Sequence, residues 1–146
     1  MFEPSTCKFE YSSPVSVECG YLIVPENRNK PDSPPIRIHV AIFKSTNPDA
    51  KPDPVIYVAG GGGVNQLGST DYYLNAVGTG ILKERDFIMY NQRGSHLNDP
   101  SLVCPDLTNL YLTIAGQDLS PHEKADIRIE KRLECQEDLL NQEIDL

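Results

Sequence analysis

Four consecutive glycines, Gly60 to Gly63, follow directly on the apolar run Val55-Ile56-Tyr57-Val58-Ala59, and this junction limits the architectures open to the chain. Val55 to Ala59 is apolar on both faces, the composition of a strand buried in the middle of a sheet. Residues without Cβ can turn sharply at its carboxyl end and leave backbone N–H groups approachable. From about Asn65 to Leu82 the pattern reads as a helix, weakened by Gly68, Gly78 and Gly80, and Asp86 to Tyr90 is a second apolar strand. Two buried strands joined through a helix predict a parallel βαβ crossover over residues 55–90.

Upstream, Val15 to Val24 and Ile36 to Ser45 alternate in polarity as half-buried strands do, and the proline-rich segment ENRNKPDSPP separates them. An antiparallel hairpin is expected over residues 15–45. Downstream, residues 91–119 are rich in turn formers, among them Gly94, Asn98, Asp99, Pro100 and Pro105, and read as a loop. A helix then starts at Ser120, with Pro121 at its first position and Glu123 completing a capping box. Ile129, Leu133 and Leu140 supply its apolar stripe, and the helix is expected to run to about Asn141. All 146 residues are read as one folded unit.

A net charge of −8, with Lys and Arg scattered along the chain, argues against a nucleic-acid partner. No apolar stretch approaches the roughly 20 residues of a membrane-spanning helix. Four cysteines, Cys7, Cys19, Cys104 and Cys135, show no CxxC spacing and fit disulfides better than a metal site, which points to a secreted or extracytoplasmic protein. Sequential pairing is one of three possible connectivities, and four buried free thiols in a cytosolic chain is the alternative. Export requires a signal, which MFEPSTCKFE lacks, so Met1 is expected to begin a trimmed chain.

At the end of a buried strand, a glycine loop can offer its N–H groups to a bound phosphate or to the oxyanion formed when an acyl carbonyl is attacked. A dinucleotide fingerprint would need glycine at position 65, where this chain has Asn65, and no lysine follows as in a P-loop. The segment PDPVIYVAGGGGVNQLG resembles the strand and oxyanion loop of α/β-hydrolases of the prolyl and tripeptidyl aminopeptidase type. DFIMYNQRGSHLNDPSLVCPDL resembles the same family's next strand and Asp-Gln-Arg-Gly segment, and VECGYLIVPENR its opening strand. Ala59, Gly62 and Asn91 depart from the His, Pro and Asp usual in those segments.

The resemblance implies an α/β fold, the N-terminal part of an α/β-hydrolase sheet, with a C-terminal helix. It implies that Gly61 and Gly62 donate oxyanion-hole N–H groups, with Gly60, Gly63 and Asn65 as substrate-binding positions beside them. Gln92, Arg93 and Gly94 are expected as structural loop residues, Arg93 organising carbonyls or carboxylates. The reaction implied is release of N-terminal residues or short peptides, without cofactor or metal.

The nucleophile is missing. No Gly-x-Ser-x-Gly occurs, Ser69 and Ser95 lie outside any such pattern, and His39, His96 and His122 precede the family's catalytic histidine. The chain alone is expected to be inactive. Without the nucleophile strand, Val55 to Ala59 becomes a sheet edge, so the chain is expected to associate with the remainder of a hydrolase or with itself. A non-catalytic binding or interaction module that keeps the hydrolase-like strands is the alternative.

Overall fold

The computed structural model describes residues 1–142 and 144, with every side chain among them but that of Thr108. The end of the expected 146-residue unit, residues 143, 145 and 146, lies outside the described residues. The chain divides into two compact units, Met1–Ser101 and the part from Leu102 onward.

The first unit is a five-stranded sheet in the order β1-β2-β3-β5-β4. Its strands are β1 (Phe2–Ser5), β2 (Val17–Pro25), β3 (Pro35–Phe43), β4 (Val55–Tyr57) and β5 (Phe87–Tyr90). The expected hairpin is present as β2 and β3, paired antiparallel from Val17↔Phe43 to Pro25↔Pro35. Sequence reading missed β1, whose four residues lie antiparallel on β2. β4 and β5 are parallel, as the crossover predicts, and β5 inserts antiparallel beside β3. The protein is therefore a mixed α/β structure whose sheet is mostly antiparallel.

The Val55–Ala59 run supplies a three-residue strand at the sheet edge, the place expected of it without a nucleophile strand, but it is not buried on both faces as its composition suggests, since Ile56 and Val58 are 58% and 62% exposed. β5, which follows it in sequence, takes the interior place between β3 and β4. The single helix expected over 65–82 is instead a broken run: a 3₁₀ turn Leu67–Ser69, α1 (Thr70–Tyr73), a π segment Leu74–Gly78 and α2 (Thr79–Ile81). Gly78 lies so close to β5 that a Cβ there would meet Leu74 at 2.9 Å and the Phe87 ring at 3.3 Å. Close packing thus requires the residue that also weakens the helix. Leu67, Leu74 and Leu82 of this run join Phe43, Phe87, Met89, Ala41 and Cys19 in the core.

The second unit corrects the expectation of an uninterrupted loop over 91–119. α3 (Pro105–Ala115) occupies part of it, and Pro105 stands at the start of that helix, where proline is well tolerated. α4 (Pro121–Leu140) begins with the expected capping box between Ser120 and Glu123. Its stripe is reversed from the usual sense, because Ile129, Leu133 and Leu140 are exposed. A neighbouring face carries the contacts to α3 and to its N-cap residue: the Cys104–Cys135 disulfide, Arg128 stacked 4.9 Å over the Tyr111 ring, and Arg132 donating to the Tyr111 hydroxyl at 2.6 Å.

Both disulfides pair in sequential order, Cys7–Cys19 and Cys104–Cys135, with Cα separations of 5.1 and 6.1 Å in the normal range. No free cysteine remains. Among the described residues no helix is long and apolar enough to cross a membrane. Both observations are compatible with a secreted or extracellular protein.

Candidate functional site

The glycine loop leaves the carboxyl end of β4, the side on which parallel strand pairs place their ligands. Gly61 and Gly63 adopt φ of +92° and +75°, whereas Gly60 and Gly62 lie outside the left-handed region. Alternation of this kind is the pattern of backbone nests, in which successive N–H groups converge on an anion. Gly60, Gly61 and Gly62 are exposed, and their N–H groups make no hydrogen bond to another described residue. A Cβ on Gly60, Gly62 or Gly63 would meet nothing within 4 Å.

Four carboxamides hold this loop in place. Gln66 is 1% exposed and grips both sides of the strand end: its Oε1 accepts from Ala59 N–H at 3.1 Å and its Nε2 donates to the Tyr57 carbonyl at 3.0 Å. Gln92 Nε2 donates to the Ala59 carbonyl at 2.9 Å, so both polar backbone groups of the residue before Gly60 are engaged. Buried Asn91 accepts from Leu67 N–H at 2.9 Å, and its Nδ2 donates to Asn65 and to the His96 carbonyl. Asn65 Oδ1 accepts both this bond, at 2.9 Å, and the Gly68 N–H at 3.0 Å. The oxygen of this expected substrate-binding side chain is therefore already shared between two protein donors.

The segment after β5 is similarly braced. Gly94 takes φ of +73°, and the Gln92 carbonyl accepts from Ser95 N–H, Ser95 Oγ and Asn98 Nδ2. Arg93 donates through Nη1 to the carbonyls of Pro25 and Glu26, tying this turn to the end of β2. Arg37 and Asp99 exchange two backbone bonds, at 2.7 and 2.9 Å, and fix the loop's far end to β3.

Neither Ser69 nor Ser95 is hydrogen-bonded to a histidine or a carboxylate among the described residues. Ser95 is buried with its hydroxyl directed at the Gln92 carbonyl, and Ser69 ends the 3₁₀ turn with no histidine bonded to it among the described residues. His122 lies 3.7 Å from Asp126 in α4. His39 is fully buried in β3, and its Nε2 accepts from Lys8 N–H at 3.2 Å. Among the described residues no group of three or more His, Cys, Asp or Glu is placed to hold a metal. Compared with known protein families and with curated proteins, the chain matches no family model and no curated sequence.

Sequence reading selected the glycines, Asn65, Gln92, Arg93 and Gly94 but not Gln66, the residue that grips the strand end. Asn91 stands out in the sequence only as a departure from the usual Asp, whereas its amide links the helical run to the loop after β5. The structure gathers the glycines and Gln66, Asn65, Asn91 and Gln92 at one end of the sheet. Arg93 turns away to β2, and the cysteines lie apart in the two disulfides.

Proposed function

We propose that this chain is the N-terminal part of a secreted serine hydrolase of the prolyl-aminopeptidase type, contributing the oxyanion loop but not the nucleophile. The observation that carries the reading is the free, exposed N–H groups of Gly60 to Gly62 at the end of β4, held from behind by Gln66 and Gln92. The residues bracing the loop are neutral amides, and Arg93, the nearby cation in sequence, is committed to two carbonyls. Such surroundings suit an oxyanion that develops during acyl transfer better than a phosphate, which ordinarily recruits a lysine or arginine. Gly61 would supply one donor, with Gly62 as the adjacent candidate, and the residue after the missing serine would supply the second.

The edge position of β4 supports the same reading. Its outer side has no strand partner among the described residues, and the nucleophile strand of the resembled family would lie there. The expected substrate is a peptide, cleaved at its N-terminal residues.

Treatment of the native protein and of the isolated chain with a fluorophosphonate, followed by intact-mass measurement, tests this. An adduct in the native protein on a serine outside these 146 residues, with none on the isolated chain, supports the proposal. Stoichiometric labelling of Ser69 or Ser95 overturns it. Failure of the native protein to label at all selects the non-catalytic module instead.

A further inference from the structure

Residues 6–15 belong to no strand, yet they alternate strictly between exposed and half-buried positions. Cys7, Phe9, Tyr11 and Val15 point inward onto the core, and the Phe43 ring lies 6.5 Å from Phe9 and 6.0 Å from Tyr11. Three attachments hold this strap to the sheet and helical run: the Cys7–Cys19 disulfide, the Lys8 N–H bond to His39 Nε2, and the Ser12 N–H bond to Asp71 Oδ1 at 2.8 Å. One is covalent, and another ends on the imidazole of His39.

We propose that residues 6–15 form an acid-released strap, latched by the neutral imidazole of His39 and freed on its Cys7–Cys19 tether when that imidazole takes up a proton. Because Nε2 accepts an N–H, it must carry the lone pair, which puts the single ring proton on Nδ1. Protonation places an N–H on Nε2 directly against the N–H of Lys8, so that donor faces donor and the latch bond is lost.

The surroundings oppose the charge as well. The ring is fully buried, and its Nδ1 has no hydrogen-bond partner. From the strap, the Lys8 ammonium repels a proton and Phe9 stacks edge-on at 6.1 Å. From β2, the Tyr21 ring lies 4.9 Å away, and the Gly20 carbonyl is the one group that favours the charged form. On β3, Arg37 packs 4.6 Å over that same Tyr21 ring and pairs with Glu3 of β1 at 2.7 Å, so the nearby carboxylate is already neutralised. Burial, reinforced by Lys8, holds His39 below the ordinary histidine value despite Gly20.

The sign follows from linkage. With the strap open, His39 is hydrated and titrates near its usual value, about 6.5. The closed form binds the proton more weakly, so closure is favoured above that pH and lost as pH falls. Each unit below about 6.5 raises the open-to-closed ratio about tenfold, until the closed form itself titrates. Opening bares the apolar face around Phe43 and leaves the buried Cys19 sulfur accessible.

The experiment uses the whole chain between pH 7.5 and 5. The reduction rate of Cys7–Cys19 by a phosphine is measured against that of Cys104–Cys135 in the same molecule, while NMR follows the His39 imidazole and the Lys8 amide. We expect the rate ratio to stay level above about pH 6.5 and to climb about tenfold per unit below it, Lys8 protection to fall in step with His39 titration, and both effects to vanish in His39→Gln, whose amide oxygen can accept the Lys8 N–H. A ratio independent of pH, a Lys8 amide protected throughout the His39 titration, or unchanged pH dependence in His39→Gln overturns the proposal. The NMR titration of the unmodified chain decides the matter even if the variant does not fold.

Discussion

Gly61 and Gly62 are neighbours in a run of identical residues, but their backbones make different demands. At φ +92°, Gly61 occupies a conformation that costs an L-residue about 1–2 kcal/mol, and its Cβ would also press on Val64 at 3.1 Å. Gly62 has neither problem. Gly61→Ala is therefore expected to lower stability by about 1–2 kcal/mol and Gly62→Ala by less than about 0.5 kcal/mol, compared by equilibrium urea unfolding. That such a turn exists was legible in the sequence, because four successive residues without Cβ after an apolar run have few other uses. What grips the turn was not. Gln66 is one polar residue at the start of a helical pattern, and nothing in period or composition shows that it folds inward to hold Tyr57 and Ala59.

Among the elements, those with local chemical signals were readable and those set by distant packing were not. The α4 start was legible because Ser120, Pro121 and Glu123 satisfy one another within a single turn. The Ser120 hydroxyl and N–H hold the Glu123 carboxyl below the usual range, so this cap stabilises α4 above the ordinary carboxylate pKa and is lost as pH falls through the lowered value. Ser120→Ala is expected to cost about 1 kcal/mol at neutral pH and to fray the first turn of α4, as read from amide exchange at Glu123 and Lys124. α3 escaped notice because Pro105 reads equally well as a turn former and as a first helical residue. The interior place of β5, between β3 and β4, depends on long-range strand pairing, which no local pattern records. The two cysteines that join α3 to α4 also carry a prediction. Their loop closure is worth about 4 kcal/mol, in a unit of the size that usually needs such a staple. Replacing Cys104 and Cys135 with serine should strip amide protection from α3 and α4 while β2, β3 and β5 keep theirs.

For the molecule as a whole, the free side of β4 governs solution behaviour. β4 has no strand partner on its outer side among the described residues, and Ile56 and Val58 are exposed beside that edge, the arrangement that invites another strand to add. The chain is expected to self-associate at micromolar concentration, and Ile56→Lys should shift sedimentation towards monomer with little change in unfolding midpoint, since Ile56 is already hydrated. A uniformly monomeric wild-type chain would remove this expectation. The interior position of β5 also bears on synthesis. β4 leaves the ribosome roughly thirty residues before the strand on which it must dock, a delay of about 2–6 s at ordinary translation rates. Through that interval an apolar segment and its glycine hinge wait without a template, so nascent-chain chaperones have a defined window in which to hold them.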